Sequence, residues 1–176
     1  MRLLANVLSF QCVWIACTWG AGLGLGWLGP GVLVVHLSLH RLVAGSAWSA
    51  DLRHALLAAL VGGTADSALQ WMGLLHFAAS PWGTAFVPPW MLALWMGFST
   101  LLGHSLAWLR GRPALATVLG GVAGPLTYRA AEGLGALVPL AGMGMSYGAV
   151  ALLWAVAMPV LVLTSPQRAR MNRRTT

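Results

Sequence analysis

Asp66 is the residue in this chain whose type and position most strongly suggest chemistry. It is one of three acidic residues, and it lies in the apolar segment Ala55–Leu75. A carboxylate in the middle of a membrane-spanning helix costs about 2.5–3.5 kcal/mol of insertion free energy, so it needs a partner, a water-filled cavity or a chemical role. Two interpretations stay open: a neutral, hydrogen-bonded packing residue, or an acid/base group tuned by its burial.

Helical spacing predicts the direction in which Asp66 points. Five of the positions three, four or seven residues away hold small or polar residues: Ala59, Gly62, Gly63, Gln70 and Gly73. Such a face packs against other helices rather than lipid, so Asp66 is predicted to face the interior of a bundle. At about 1.5 Å per residue, Gln11 and His36 come to the same depth. We therefore predict Asp66, His36 and Gln11 as candidate catalytic residues, the last two being partners of the carboxylate.

The next two predicted helices carry further polar stripes that could face the same interior. The aligned positions are Gly97, Thr100 and His104 on the fourth helix, and Thr117, Gly120, Gly121, Gly124 and Tyr128 on the fifth. Trp95 lies deeper than the interfacial tryptophans and could line a lipid-like pocket. Arg129 is spaced for an ion pair with Glu132, or could receive an anionic headgroup together with Tyr128. Tyr128, Arg129, Trp95 and Thr100 are the candidate substrate-binding residues.

Metal or haem ligation is considered at the histidines. His36 and His40 lie one turn apart on one predicted helix, but no acidic residue is near them in sequence, which favours a structural role. His104 is the remaining histidine on a polar stripe. Five histidines are too few for a membrane di-iron enzyme of the histidine-rich kind. No metal site is predicted, and the sequence assigns no cofactor.

The composition identifies the elements that must position these residues. The chain is 59% hydrophobic and 7% charged and contains no lysine, which is too little polar surface for a soluble domain of 176 residues. Apolar stretches long enough to cross a bilayer recur along it. The net charge of +7 comes from arginines at the ends of these stretches, so nucleic-acid binding is not predicted.

Six transmembrane helices are predicted, forming an all-α bundle. Their approximate bounds are Leu3–Gly20, Gly31–Val43, Ala55–Leu75, Pro89–Leu109, Pro113–Ala131 and Tyr147–Leu163. Prolines at the starts of the fourth and fifth segments suit the first turn of a helix. The first segment resembles a signal peptide, but apolar sequence continues past Cys17, so a retained helix is expected.

Arginine placement predicts the topology. The loops around residues 21–30 and 76–88 carry no charge, whereas nine of the ten arginines fall at the amino terminus, on the alternate connections or in the carboxyl-terminal segment: Arg2, Arg41, Arg53, Arg110, Arg112, Arg168, Arg170, Arg173 and Arg174. The positive-inside rule then places both termini in the cytoplasm. We predict one six-helix transmembrane domain over residues 1–165 and a basic cytoplasmic tail over residues 166–176. The expected location is the bacterial inner membrane.

The order of several residues resembles domain-of-unknown-function family 2878, a group of small bacterial membrane proteins. The residues that carry the resemblance are Asn6, Gln11, Trp14, Asp66, Ser67, Pro89, Trp90, Leu94, Trp95, Phe98, Trp108, Leu109, Gly124, Pro125, Tyr128, Leu134, Gly135, Ala136, Trp154 and Pro159. Genes of this family often lie near genes for enzymes similar to cyclopropane-fatty-acid synthase. The resemblance therefore implies a link to membrane lipids, by association alone.

Three hypotheses for function follow. The first is the modification or handling of lipid acyl chains, with Asp66 as a buried acid/base. The second is a non-catalytic accessory or assembly subunit. The third is a small proton-coupled transporter, although no convincing repeat relates the two halves of the sequence. The expected partners are the lipid bilayer, a lipid-like substrate and other envelope proteins.

Overall fold

The computed structural model describes residues 2–44 and 47–166, and all but the first residue of the predicted basic tail lie outside this part. Over the described residues the chain forms six α-helices, as predicted, with two short β-strands that were not. The helices are α1 (Arg2–Gly22), α2 (Leu28–Ala44), α3 (Trp48–Trp71), α4 (Pro89–Leu102), α5 (Pro113–Gly133) and α6 (Met143–Thr164); the strands are β1 (Leu75–Phe77) and β2 (Leu137–Pro139).

Two helix boundaries differ from the prediction by about two turns. α3 begins at Trp48 rather than Ala55, with Asp51 in its first turn, where a negative charge stabilises the helix dipole. α4 ends at Leu102, and a 3-10 turn at Ala107–Leu109 replaces the predicted last two turns. The predicted starts of α4 and α5 at prolines are confirmed. Asp66 therefore lies near the end of its helix rather than at its middle.

Two of the described helices are long and apolar enough to cross a membrane. They are α1, over Leu3–Gly22, and α6, over Met143–Thr164. α4 is apolar but has only 14 residues. These helices are compatible with a membrane protein.

α4 lies at the centre of the bundle. None of its residues is exposed, and it packs against α1, α2, α3 and α6. By contrast, α1, α2, α3, α5 and α6 all carry exposed leucine or valine side chains. The interior of the bundle is therefore organised around its shortest helix.

The last four helices form two copies of one structural unit. The first unit is α3–β1–α4 and the second is α5–β2–α6, each a helix followed by a strand and a second helix. In each unit a glycine with positive φ ends the first helix: Gly73 (φ 68°) and Gly135 (φ 77°). The next residue then bonds back into the helix, from Leu74 N to Leu69 O (2.9 Å) and from Ala136 N to Ala131 O (3.0 Å).

The two strands pair with each other and fix the units relative to one another. β1 and β2 are antiparallel, with His76 opposite Val138 at the centre of the register. These two residues follow Gly73 and Gly135 by the same three positions, so the pair lies on an approximate two-fold axis between the units. We call this the strand end of the bundle. α3 and α5 both finish here, which brings equivalent positions of the two helices to the same level.

Candidate functional site

Asp66 is fully buried, and both of its carboxylate oxygens accept hydrogen bonds from aromatic side chains. Trp95 Nε1 donates to Oδ2 at 2.7 Å, and the Tyr128 hydroxyl donates to Oδ1 at 2.6 Å. The three residues come from α3, α4 and α5. A buried carboxylate with two donors is satisfied without a cationic partner.

The prediction that His36 or Gln11 partners Asp66 is wrong. It assumed that Asp66 lies at mid-helix, whereas Asp66 and Tyr128 both lie seven residues before the glycine that ends their helix. The pairing of β1 with β2 holds the two helix ends level, so these equivalent side chains meet across the two-fold axis. The hydrogen bond between Asp66 and Tyr128 is thus a product of the repeat.

Glycines four residues before Asp66 and Tyr128 complete the repeat. A Cβ on Gly62 would lie 1.9 Å from the ring of Trp95, and a Cβ on Gly124 would lie 2.4 Å from that of Trp154. Each glycine therefore allows the indole ring of a tryptophan on the following helix to pack directly against the backbone of the glycine's own helix. The two indole rings stack on each other with centroids 4.5 Å apart and planes 20° apart. We refer to Asp66, Trp95, Tyr128 and Trp154 as the Asp66 cluster.

An apolar cavity of about 620 Å³ lies beside this cluster, between α1 and α4 on one side and α5 and α6 on the other. Trp95, Tyr128 and Trp154 form part of its wall, and Gln11 and Trp14 of α1 face them. The other lining residues are Phe10, Thr18, Trp90, Met91, Leu94, Phe98, Leu106, Trp108, Leu109, Leu119, Gly120, Ala123, Gly124, Leu126, Thr127, Ala130, Ala131, Leu137 and Met158.

Several polar groups in the cavity wall are bonded to the protein itself. Thr18 donates to the Trp14 carbonyl at 2.8 Å, and Thr127 donates to the Gly124 carbonyl at 2.8 Å. The polar atoms of Trp95 and Tyr128 are bonded to Asp66. The surface that remains for a ligand is therefore almost wholly hydrocarbon and aromatic.

The cavity opens sideways between α1 and α5. At the strand end these helices approach closely, since a Cβ on Gly22 would lie 1.9 Å from the carbonyl oxygen of Leu134. Farther along, Gln11 on α1 and Ala123 and Thr127 on α5 line the cavity and are exposed. The cavity is thus closed at the strand end and accessible from the flank of the bundle.

Asp66 does not itself line the cavity. Trp95 and Tyr128 stand between the carboxylate and the open space, and each uses its polar atom to bind it. The geometry therefore makes Asp66 an anchor for two wall residues. A direct proton transfer to a bound molecule would require one of these residues to move.

The remaining candidate residues lie elsewhere. His36 Nε2 is 3.1 Å from the Thr100 hydroxyl, in a buried pair that lines no part of the cavity. Arg129 is exposed and forms the expected ion pair with Glu132 at 2.8 Å. Of the candidate catalytic and substrate-binding residues, Gln11, Trp95 and Tyr128 thus line the cavity. Asp66 lies behind Trp95 and Tyr128.

A second polar cluster, which the sequence did not predict, lies at the end of the bundle opposite the strands. His40 near the end of α2, Asp51 in the first turn of α3 and His104 just after α4 offer ligand atoms within 4.8 Å of one another. In the sequence, metal ligation stays open at His36, His40 and His104. No sequence pattern indicates that the start of α3 and the end of α4 bring Asp51 and His104 beside His40.

Comparison with known proteins agrees with the resemblance seen in the sequence. No curated protein and no solved structure matches the chain. The family model described as "Protein of unknown function (DUF2878)" matches residues 3–160, which include α2 to α5 entirely and most of α1 and α6. The chain therefore belongs to the DUF2878 family.

Proposed function

We propose that the protein spans the inner membrane of a bacterium six times, with both termini in the cytoplasm. Its outward surface supports this, because leucine, valine and methionine side chains cover it, among them Leu42 (81% exposed), Leu152 (73%) and Met72 (70%). Monomeric soluble proteins rarely expose continuous apolar surface of this kind. The arginines on alternate connections supply the orientation.

We propose further that the protein binds a lipid acyl chain in the cavity between α1 and α5. The observation that carries this is the combination of an almost wholly apolar wall with an opening on the flank of the bundle. A cavity of about 620 Å³ lies within the range of roughly 300–1,000 Å³ that binding sites for small molecules occupy. In a membrane, the flank between α1 and α5 faces lipid, so an acyl chain enters without crossing water.

In this proposal Asp66 is a positioning residue. It fixes Trp95 and Tyr128, which form the wall, and it touches no ligand. This differs from the role as an acid/base that the sequence suggested. Lipid handling ranks above a proton-coupled transporter because both oxygens of Asp66 are already bonded to neutral donors. It ranks above a purely structural accessory subunit because the cavity has room for a ligand.

The test is photocrosslinking to a phospholipid with a diazirine in its acyl chain. The purified full chain is placed in nanodiscs containing this lipid, irradiated, and digested so that mass spectrometry locates the adducts. Ala123→Trp fills the cavity from an exposed position on α5 that lines it. Val122→Trp is the matched control, because Val122 is exposed on the same helix and does not line the cavity.

We expect adducts on cavity residues of α1, α4 and α5 in the native protein and in Val122→Trp, and loss of most of them in Ala123→Trp. Equal labelling of the cavity in both variants would overturn the proposal. Labelling confined to the outward leucines and valines would also overturn it, and would favour the accessory role.

A further inference from the structure

His40, Asp51 and His104 converge from three different elements at the end of the bundle opposite the strands. His40 lies four residues before the end of α2, Asp51 three residues after the start of α3, and His104 two residues after α4. From this convergence we propose that the three side chains bind a divalent transition-metal ion. The site is separate from the lipid cavity, since none of its residues lines that cavity.

The spacing of the ligand atoms suits one ion. His40 Nε2 and Asp51 Oδ2 are 2.9 Å apart, and all three ligand atoms lie within 4.8 Å of one another. In a tetrahedral site with bonds of about 2.1 Å, ligand atoms lie about 3.4 Å apart. An ion therefore takes the place of the proton between His40 and Asp51, and small side-chain rotations bring His104 within bonding distance.

The hydrogen bond of His104 to the backbone fixes the tautomer of its ring. Its Nδ1 lies 2.9 Å from the carbonyl oxygen of Thr100. A carbonyl oxygen only accepts, so Nδ1 carries the proton, and in the neutral ring Nε2 then presents a lone pair. Histidine ligands of metals usually have this arrangement, in which the second ring nitrogen donates to a carbonyl or carboxylate that fixes the ring.

The ligand set also selects the class of ion. Two imidazoles and one carboxylate favour zinc, iron or nickel over magnesium and calcium, which prefer sites built only of oxygen ligands. Three protein ligands leave at least one coordination position for water or another molecule, as in catalytic rather than structural zinc sites. The rings of His40 and His104 meet edge to face with centroids 4.7 Å apart, so both are already ordered side by side.

Burial supports a site rather than a surface cluster. His40 and Asp51 are each 8% exposed, and His104 is partly exposed. The chain has only three acidic residues, and one of them is placed between histidines here. A fourth imidazole, that of His36, stacks on His40 with centroids 6.2 Å apart, but its Nε2 is 3.1 Å from Thr100, so we do not assign it as a ligand.

Cobalt(II) binding to the full chain tests the proposal. The protein is purified in detergent without a polyhistidine tag, stripped with a chelator, and titrated with Co²⁺ while its visible d–d absorption is recorded. Zn²⁺ is then added as a competitor. His104→Ala and Asp51→Asn remove one ligand each, and Asn keeps the size of the side chain. His76→Ala is the control, because His76 is exposed on β1 at the other end of the bundle.

We expect one Co²⁺ per chain, a d–d spectrum that Zn²⁺ abolishes, and the same behaviour in His76→Ala. His104→Ala and Asp51→Asn should bind at least about tenfold more weakly, since even outer-shell partners of metal ligands contribute 10–100-fold. Absence of the d–d spectrum in the native protein overturns the proposal. So does equal affinity in all four proteins, provided that circular dichroism shows each of them to be folded.

Discussion

The hydroxyl of Tyr128 lies 2.6 Å from Oδ1 of Asp66, and the two residues occupy the same position in two copies of one helix–strand–helix unit. Each lies seven residues before the glycine that ends its helix. In one copy the position holds an acceptor, and in the other it holds a donor. The repeat therefore brings an unlike pair together at its own axis, where two identical side chains would have met.

Asp66 and Tyr128 are predicted to be energetically coupled. Asp66→Asn replaces one acceptor oxygen by a donor, and Tyr128→Phe leaves one oxygen of Asp66 without its donor. Each change should destabilise the protein by about 1–3 kcal/mol, since it leaves a buried polar group unsatisfied. The double variant should lower the free energy of unfolding by less than the sum of the two single changes, and the difference, the coupling free energy, should be about 0.5–3 kcal/mol. Chemical unfolding in detergent micelles measures all three.

Tyr147→Phe is the matched control for this double-mutant cycle, in which Asp66 and Tyr128 are changed singly and together. Tyr147 also donates its hydroxyl to a carboxylate, that of Glu132, but it contacts no member of the Asp66 cluster by hydrogen bonding. Its effect should add to that of Asp66→Asn. Additivity in the Asp66–Tyr128 cycle as well would contradict the coupling.

Two neighbouring glycines of α5 should respond differently to substitution by alanine. A Cβ on Gly120 would lie 2.3 Å from the carbonyl oxygen of Trp154, whereas a Cβ on Gly121 would lie 3.6 Å from its nearest neighbours. Gly120→Ala should therefore force α5 and α6 apart and destabilise the protein by about 1–3 kcal/mol. Gly121→Ala should be neutral or slightly stabilising, since alanine is the better helix former. Melting temperatures of the two variants in one detergent decide this, and similar values would contradict the packing.

A disulfide should form readily across the centre of the strand pair. His76 and Val138 are exposed Cα partners in antiparallel strands, which places their Cα atoms about 5.5 Å apart, within the range of a disulfide. In a chain without Cys12 and Cys17, the variant His76→Cys with Val138→Cys should oxidise in air. Pairing His76→Cys with Leu140→Cys, two residues farther along, should oxidise more slowly. Gel mobility with and without reductant measures both, and equal rates would contradict the register.

The topology is testable with single cysteines in the same background. Thr84 lies exposed in the loop before α4, and Arg112 lies exposed in the turn before α5. In intact bacterial cells, a membrane-impermeant maleimide should label Thr84→Cys and should label Arg112→Cys only after the membrane is opened. Labelling of both in intact cells would contradict the proposed orientation.

The sequence was sufficient to predict the six helices because their boundaries depend on local chemistry. Pro89 and Pro113 mark the starts of α4 and α5, and the small-residue face correctly placed Asp66 inside the bundle. The errors arose where tertiary contacts extend or shorten a helix. α3 begins at Trp48, and no hydropathy pattern shows that α4 stops at Leu102.

The arrangement of the candidate site could be predicted only in part. Trp95 was identified by its depth and Tyr128 by the small-residue stripe on its helix, but their hydrogen bonds to Asp66 depend on the pairing of β1 with β2, two strands of three residues each. The repeat that creates the pairing leaves almost no sequence signal, because Asp66 and Tyr128 differ in type. The cluster of His40, Asp51 and His104 likewise depends on the meeting of three separate elements.

The position of α4 has a consequence for biogenesis. With 14 residues it is about 21 Å long, shorter than the roughly 30 Å of hydrocarbon in a bilayer, and none of its side chains is exposed. In the proposed membrane setting, neighbouring helices must therefore provide hydrogen-bond partners for the backbone N–H and C=O groups of the segment that follows α4. α4 leaves the ribosome before α6, which forms part of its surroundings. The contacts around α4 are complete only after α6 has been synthesised, so the native bundle assembles late and as a whole.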